Sequence, residues 1–133
     1  MNNDKILKAS NVRKEHPIYR QIAERLSTVD QLKYVKIYKD RIKASNVLSD
    51  NGKKEPIVNV GEANIIGIEL LVDEPSKVVQ FYAITSSEKG YGEMMVSSVV
   101  NAIPEDWRLA VVMDWSAGFW EVMTKRYPRI VVF

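Results

Sequence analysis

The segment KVVQFYAITSSEKGYGEMMVSSVVNAIP, residues 77–104, constrains the fold more than any other. Its first third is rich in Val, Phe, Tyr and Thr and predicts a strand. Its last third sets Met94, Met95, Val99 and Ala102 on one predicted helical side, and Pro104 stops the pattern. Gly90 and Gly92 lie between the two. A strand turning through glycine into a helix belongs to a chain that layers helices on a sheet. The same geometry suits an anion, because a helix N-terminus presents unbonded N–H groups and a partial positive charge. Glycine also lets the backbone come close to a pyrophosphate. The segment therefore reads either as a phosphate-binding turn or as a plain strand-to-helix connection.

Two phosphate motifs fail on the residues. A P-loop needs G-x-x-x-x-G-K-[ST], but Glu93 and Met94 follow Gly92. A dinucleotide fingerprint needs a third small residue, and that position is Met95. The strands before the turn also read as a meander rather than as the opening of a βαβ unit.

The rest of the pattern predicts a mixed fold. Residues 5–10, KILKAS, read as a short strand. HPIYRQIAERLS, residues 16–27, reads as a helix with Pro17 at its first position and Ile18, Ile22 and Leu26 on one face. VDQLKYVKIYKDRIKASNVL, residues 29–48, reads as a second helix, with Asp30 as its N-cap and Tyr34, Tyr38 and Ile42 as its stripe. Within it YVKIYK also alternates as a strand does. After the polar turn of residues 49–56, PIVNVGE, NIIGIELLVD and KVVQFYAIT predict an antiparallel meander. RLAVVMDW predicts a strand covered on both faces, SAGFWEVMTKRYP a short helix, and RIVVF a last strand. The expected order is β-α-α-β-β-β-α-β-α-β, an α/β or α+β sheet with helices on both faces. Residues 1–133 are expected to form one domain.

Composition removes several chemistries. The chain has no cysteine, so disulfides, thiolate metal sites and cysteine nucleophiles are excluded. Its single histidine, His16, rules out a multi-histidine zinc site. No apolar run approaches the ~18–20 residues that span a bilayer, and the N-terminus lacks a signal peptide's apolar region. A soluble cytoplasmic protein with no membrane partner is the expectation. The net charge of +2 is uneven: residues 1–54 hold 13 Lys/Arg and 6 Asp/Glu, and residues 55–133 hold 6 and 11. The basic half reads as solvated amphipathic helices or as a surface that meets an anion. No nucleic-acid-binding signature is present, so nucleic acid is not the expected partner. The apolar terminal strand invites pairing across a homodimer.

From residue 56 onward the sequence resembles the GNAT (general-control-related N-acetyltransferase) superfamily. NIIGIELL resembles that family's third strand and VVQFYAIT its fourth. SEKGYGEMM is similar to its Q/R-x-x-G-x-G/A acyl-CoA loop, and LAVVMDWSAGFWEVM resembles its fifth strand and following helix. The two expected leading helices fit the family's first two. The resemblance implies an acetyltransferase of mixed, mostly antiparallel sheet that moves an acetyl group from acetyl-CoA, its co-substrate, directly to an amine of a small molecule, peptide or protein lysine.

It also implies site residues. Lys89, Gly90, Tyr91 and Gly92 would hold the pyrophosphate, and Ala83, Ile84 and Thr85 would pair with the pantetheine arm. Asp114 would lie near that arm, or cap the next helix. Transfer needs a deprotonated amine and a protonated leaving thiolate. Glu69 is the candidate base, inside an apolar strand where desolvation would raise its pKa. Its other reading is a solvent-facing strand residue. Tyr127 is the candidate acid, with Tyr82 and Tyr91 as alternatives. Ser87 stands at the family's Q/R position, and Trp120 stands near its usual tyrosine acid. These departures imply the alternative, a GNAT-fold binding or regulatory protein without catalysis.

Overall fold

The computed structural model describes residues 6–7, 17–48, 56, 58, 64–86, 90–111 and 118–132. Its elements run β1 (Ile6–Leu7), α1 (Ile18–Leu26), β2 (Tyr34–Tyr38), β3 (Arg41–Ser45), β4 (Gly67–Asp73), β5 (Val78–Thr85), α2 (Tyr91–Ala102), β6 (Arg108–Val111), α3 (Phe119–Arg126) and β7 (Ile130–Val132). The seven strands form one sheet in chain order. Its three longest ladders, which join β2 to β5, are antiparallel. The β1–β2, β5–β6 and β6–β7 ladders are parallel. This is the mixed α+β class expected from the sequence, and no helix among the described residues is long and apolar enough to cross a membrane.

The expected second helix is a hairpin instead. Tyr34–Tyr38 and Arg41–Ser45 pair antiparallel around Lys39 and Asp40, and Lys39 takes a positive φ of 55°. The Tyr34 and Tyr38 spacing does not separate the two forms, because residues four apart share a face on a helix and on a strand. The alternation decides. Val35, Ile37, Ile42 and Ala44 are buried, and Tyr34, Lys36, Arg41 and Lys43 lie between them, part-exposed. The described order is therefore β-α-β-β-β-β-α-β-α-β. Of the expected strand 56–62, Pro56 makes an isolated bridge to Leu48, and apart from Val58 the remainder lies outside the described residues.

The helices also differ in placement from the expectation. α1 packs along α2. α2 meets α3 where Phe119 covers Gly92 and where Arg126 and Tyr127 reach Glu93. The described helices thus form one layer, not one on each face. Beneath it lie Val35, Ile37, Ile42, Ala44, Ile68, Leu70, Val72, Val79, Phe81, Leu109 and Val111, all in one apolar core. Part of the opposite face is covered by Val58, whose Cγ2 lies 3.1 Å from where a Cβ on Gly67 would be.

α1 buries Ile18, Ile22 and Leu26 as expected, together with Tyr19 and Ala23. α2 buries Gly92, Met95, Val96 and Val99, while Met94 is 49% exposed. Its apolar face is therefore rotated from the one expected, toward the side where Gly92 admits Phe119. At the far end of α2, the Arg129 guanidinium donates to the carbonyls of Val100 (3.4 Å), Ile103 (3.1 Å), Pro104 (2.7 Å) and Trp107 (3.3 Å). Those groups include helix-end carbonyls that lack partners within the helix.

Candidate functional site at the end of strand β5

β5 pairs with β4 along its whole length, from Val78 opposite Asp73 to Thr85 opposite Gly67. Its ladder with β6 is shorter, running from Val78 opposite Arg108 to Phe81 opposite Val111. Among the described residues, β5 thus continues from Tyr82 to Thr85 beyond its last pair with β6. At the same point the β4–β5 register shifts between Glu69 and Leu70, and Tyr82 is the extra residue of the bulge. Bulges re-aim side chains and locally end pairing. Ala83, Ile84 and Thr85 occupy this second half of β5. Val112, on which a continued ladder would depend, lies outside the described residues.

Thr85 leads into the glycine turn. Gly90 is the N-cap of α2, with φ of +98° and ψ of −27°. That backbone is one L side chains rarely adopt, and there is open space where a Cβ would be. Gly92 has the opposite reason for being glycine. A Cβ there would lie 3.0 Å from Phe119 Cε1. Gly90 therefore shapes the turn, while Gly92 admits an aromatic ring from α3. Tyr91, partly buried, packs on the core between them. Lys89, Ser87 and Asp114 lie outside the described residues.

The first turn of α2 carries a group that sequence reasoning missed. Glu93 forms an ion pair with Arg126 and accepts a hydrogen bond of 3.1 Å from the Tyr127 hydroxyl. A carboxylate in the first turn complements the helix dipole. Its position after the glycine pair was visible in the sequence, but its partners lie 33 and 34 residues away.

Trp120 is a core residue at 4% exposure. Its ring centroid lies 4.9 Å from that of Phe81 and 5.1 Å from that of Phe119. A chain Phe81–Trp120–Phe119–Gly92 thus ties the last described β5–β6 pair to α3 and to the glycine turn.

The two candidate catalytic residues are not brought together. Glu69 alternates with Ile68 and Leu70, which enter the helix-side core, so Glu69 points to the other face. Tyr127 packs on the helix side. Glu69 is 7% exposed, which overturns the solvent-facing reading, and its environment is not purely apolar. It forms an ion pair with Arg41 and lies across the ladder from Lys43 on one side and Ala83 on the other. The Arg41 guanidinium also sits 5.2 Å from the centroid of the Tyr82 ring.

A concavity lies elsewhere among the described residues. An open hollow of about 930 Å³ lies at the β4–β5 turn, lined by Tyr19, Asp40, Asp73, Glu74, Lys77 and Gln80 among others. It is at the opposite end of β5 from Gly90. Burial pushes the Tyr19 phenol up from its ordinary range, and a hydrogen bond with Glu74 and the charges of Glu74 and Asp40 add to the shift. Among the described residues, no three acidic or histidine side chains are placed to hold a metal ion.

No family model matches the chain, no curated protein matches it, and no solved structure matches it.

Proposed function

We propose that this protein is an acyl-CoA-dependent N-acetyltransferase that transfers an acetyl group from acetyl-CoA directly to an amine. The observation that supports this reading most is the path of β5. It bulges at Tyr82 against β4 and leads toward a left-handed Gly90 at the start of α2. A pantetheine arm can add to such a strand by main-chain hydrogen bonds, as an extended peptide adds to a sheet edge. The pyrophosphate then falls at the helix N-terminus. Ala83, Ile84 and Thr85 are the proposed contacts for the arm, and Gly90, Tyr91 and Gly92 for the pyrophosphate, with Lys89 as a cation. Asp114 is the proposed neighbour of the arm.

In this reading Glu69 accepts the amine's proton, since it lies beside Ala83 in the β4–β5 register. Tyr127 packs on the helix side with its hydroxyl on Glu93, away from Glu69, so in this reading the leaving thiolate takes its proton from the attacking amine. The gain from bringing thioester and amine together would supply most of the acceleration.

A second reading, a GNAT-fold binding or regulatory protein without catalysis, is favoured by Glu93. Its carboxylate occupies the first turn of α2, close to where a pyrophosphate would sit. Repulsion there would weaken the anion, less so while Arg126 pairs with it.

Thermal unfolding with and without acetyl-CoA tests the proposal. A ligand at one hundred times its Kd, binding only the native state, stabilises by about 2.7 kcal/mol. A raised Tm is expected, with thiol release on adding amines. A Tm unmoved by millimolar acetyl-CoA sinks both the enzyme and any acyl-CoA-binding role. A shift with no thiol release for any amine selects the second reading.

A further inference from the structure

Arg41, Glu69 and Tyr82 form a charged cluster on the sheet face away from the helices. It lies against the half of β5 proposed above to carry the acyl arm. Glu69 is nearly enclosed, its side chain 9% exposed, whereas the Arg41 side chain is 35% exposed and Tyr82 is 50% exposed. The carboxylate is thus the fixed member of the pair and the guanidinium the one that meets solvent. Tyr82 follows Phe81, which enters the helix-side core, so alternation puts it on this face, and the guanidinium lies over its ring. A guanidinium supported on an aromatic ring loses little freedom when it exchanges the Glu69 carboxylate for that of a ligand.

We propose that the acceptor is a free amino acid, bound with its carboxylate on Arg41 and its amine on Glu69. This rests on the acetyltransferase reading and names its substrate class. The argument is one of charge matching. An amine alone reaches Glu69 by displacing Arg41, which then has no carboxylate in exchange. A zwitterion inserted into the pair gives each protein charge a new partner, because its own two charges are a few bonds apart. Leaving a desolvated charge unpaired is the strong element of discrimination. Lys43, directly across from Glu69 on the same face, adds a positive charge that favours a carboxylate-bearing ligand over a simple cation. Ala83, the other cross-strand neighbour of Glu69, places the bound amine beside the strand segment assigned to the acyl arm.

The transfer balances without another reactant. The bound ammonium gives one proton to the Glu69 carboxylate and becomes a nucleophilic amine. Its nitrogen forms a bond to the thioester carbonyl carbon. The C–S bond then breaks, the thiolate leaves with the electron pair, and the second nitrogen proton passes to that sulfur. Glu69 returns its proton to solvent.

Thiol release from acetyl-CoA is measured with each standard amino acid and with the amine that its decarboxylation would give, for example phenylalanine against phenethylamine and lysine against cadaverine. At least one amino acid should exceed its amine more than tenfold in kcat/KM. Arg41→Gln should remove that preference by raising the amino-acid KM at least tenfold. The Tm shift with acetyl-CoA should be unchanged, because Arg41 is not among the acyl-CoA contacts. Arg41→Lys should fall between the two, since it keeps the charge without the fork. If Arg41→Gln fails to fold, Arg41→Met combined with Glu69→Gln leaves no charge unpaired, and it should lose amino-acid binding by calorimetry with acetyl-CoA absent. Equal rates for amino acids and their amines, or a preference that survives Arg41→Gln, overturn the inference while leaving the acyl-CoA reading intact. Absence of any acetyl-CoA shift defeats that reading first. Calorimetry with amino acids alone then decides the cluster separately: binding that Arg41→Gln abolishes upholds the site, and no binding removes it.

Discussion

Gly90 and Gly92 look alike in the sequence and act differently in the fold. Gly90 is required by its own backbone, at φ of +98°, whereas Gly92 is required by its neighbour Phe119. Gly92→Ala should therefore overpack the α2–α3 contact and cost about 1–3 kcal/mol. Adding Phe119→Leu should return part of that loss, a coupling that a double-mutant cycle in urea would show. Additive losses would mean that the two residues do not meet. A large residue at position 92 would unseat α3, so a binding defect in such a variant would not report on pyrophosphate contact. Arg129 likewise has a role set by contacts distant in sequence. Arg129→Met should lower the unfolding free energy by about 2–3 kcal/mol, since hydrogen bonds from a charged donor contribute about 1.5–3 kcal/mol each and do not add fully. An unchanged urea midpoint would remove it as the clamp on the α2 C-terminus.

Elements are joined by the aromatic chain more than by loop length. Trp120 lies between Phe81 of β5 and Phe119 of α3, so it fastens the short helix α3 to the sheet. An eight-residue helix has little stability of its own and depends on such packing. Trp120→Ala should cost about 3–5 kcal/mol, as for other large-to-small core changes. Amide exchange in α3 should rise more than exchange in β2 and β3, and a uniform rise would show that α3 does not open on its own. The hairpin of β2 and β3 shows why this chain reads ambiguously at the level of elements. Its apolar residues fit two periods, and only the sheet partner β4, with Leu70 opposite Ile42 and Ile68 opposite Ala44, makes strand pairing the better burial.

At the scale of the whole molecule, the helix layer and the sheet meet at Tyr19. This α1 phenol is 2% exposed and hydrogen-bonded with Glu74 at the β4–β5 turn. Its folded-state pKa is raised above the unfolded value of about 10. The folded state thus holds this proton more tightly than the unfolded state does. The resulting stability is present below about pH 10 and is lost as pH rises above it. Tyr19→Phe should flatten the alkaline fall of the unfolding free energy relative to the parent, at the cost of the bond to Glu74. Parallel curves for the two proteins above pH 10 would show that another group drives alkaline unfolding.

The strand–glycine–helix unit of residues 77–104, the mixed class and both flanking helices were legible in the sequence, because local alternation, glycine and proline act over a few residues. So were the places of Glu69, Ala83 and Gly90 along the chain. Tertiary structure alone decided which face each residue took and whom it met. It turned a predicted helix into a hairpin, placed the described helices in one layer, buried Glu69 against Arg41, and gave Glu93 to Arg126 and Tyr127. The last two outcomes depend on pairs 28 to 34 residues apart. Burial and charge pairing between such residues are set by the packed sheet and helix layer, and no local pattern encodes them.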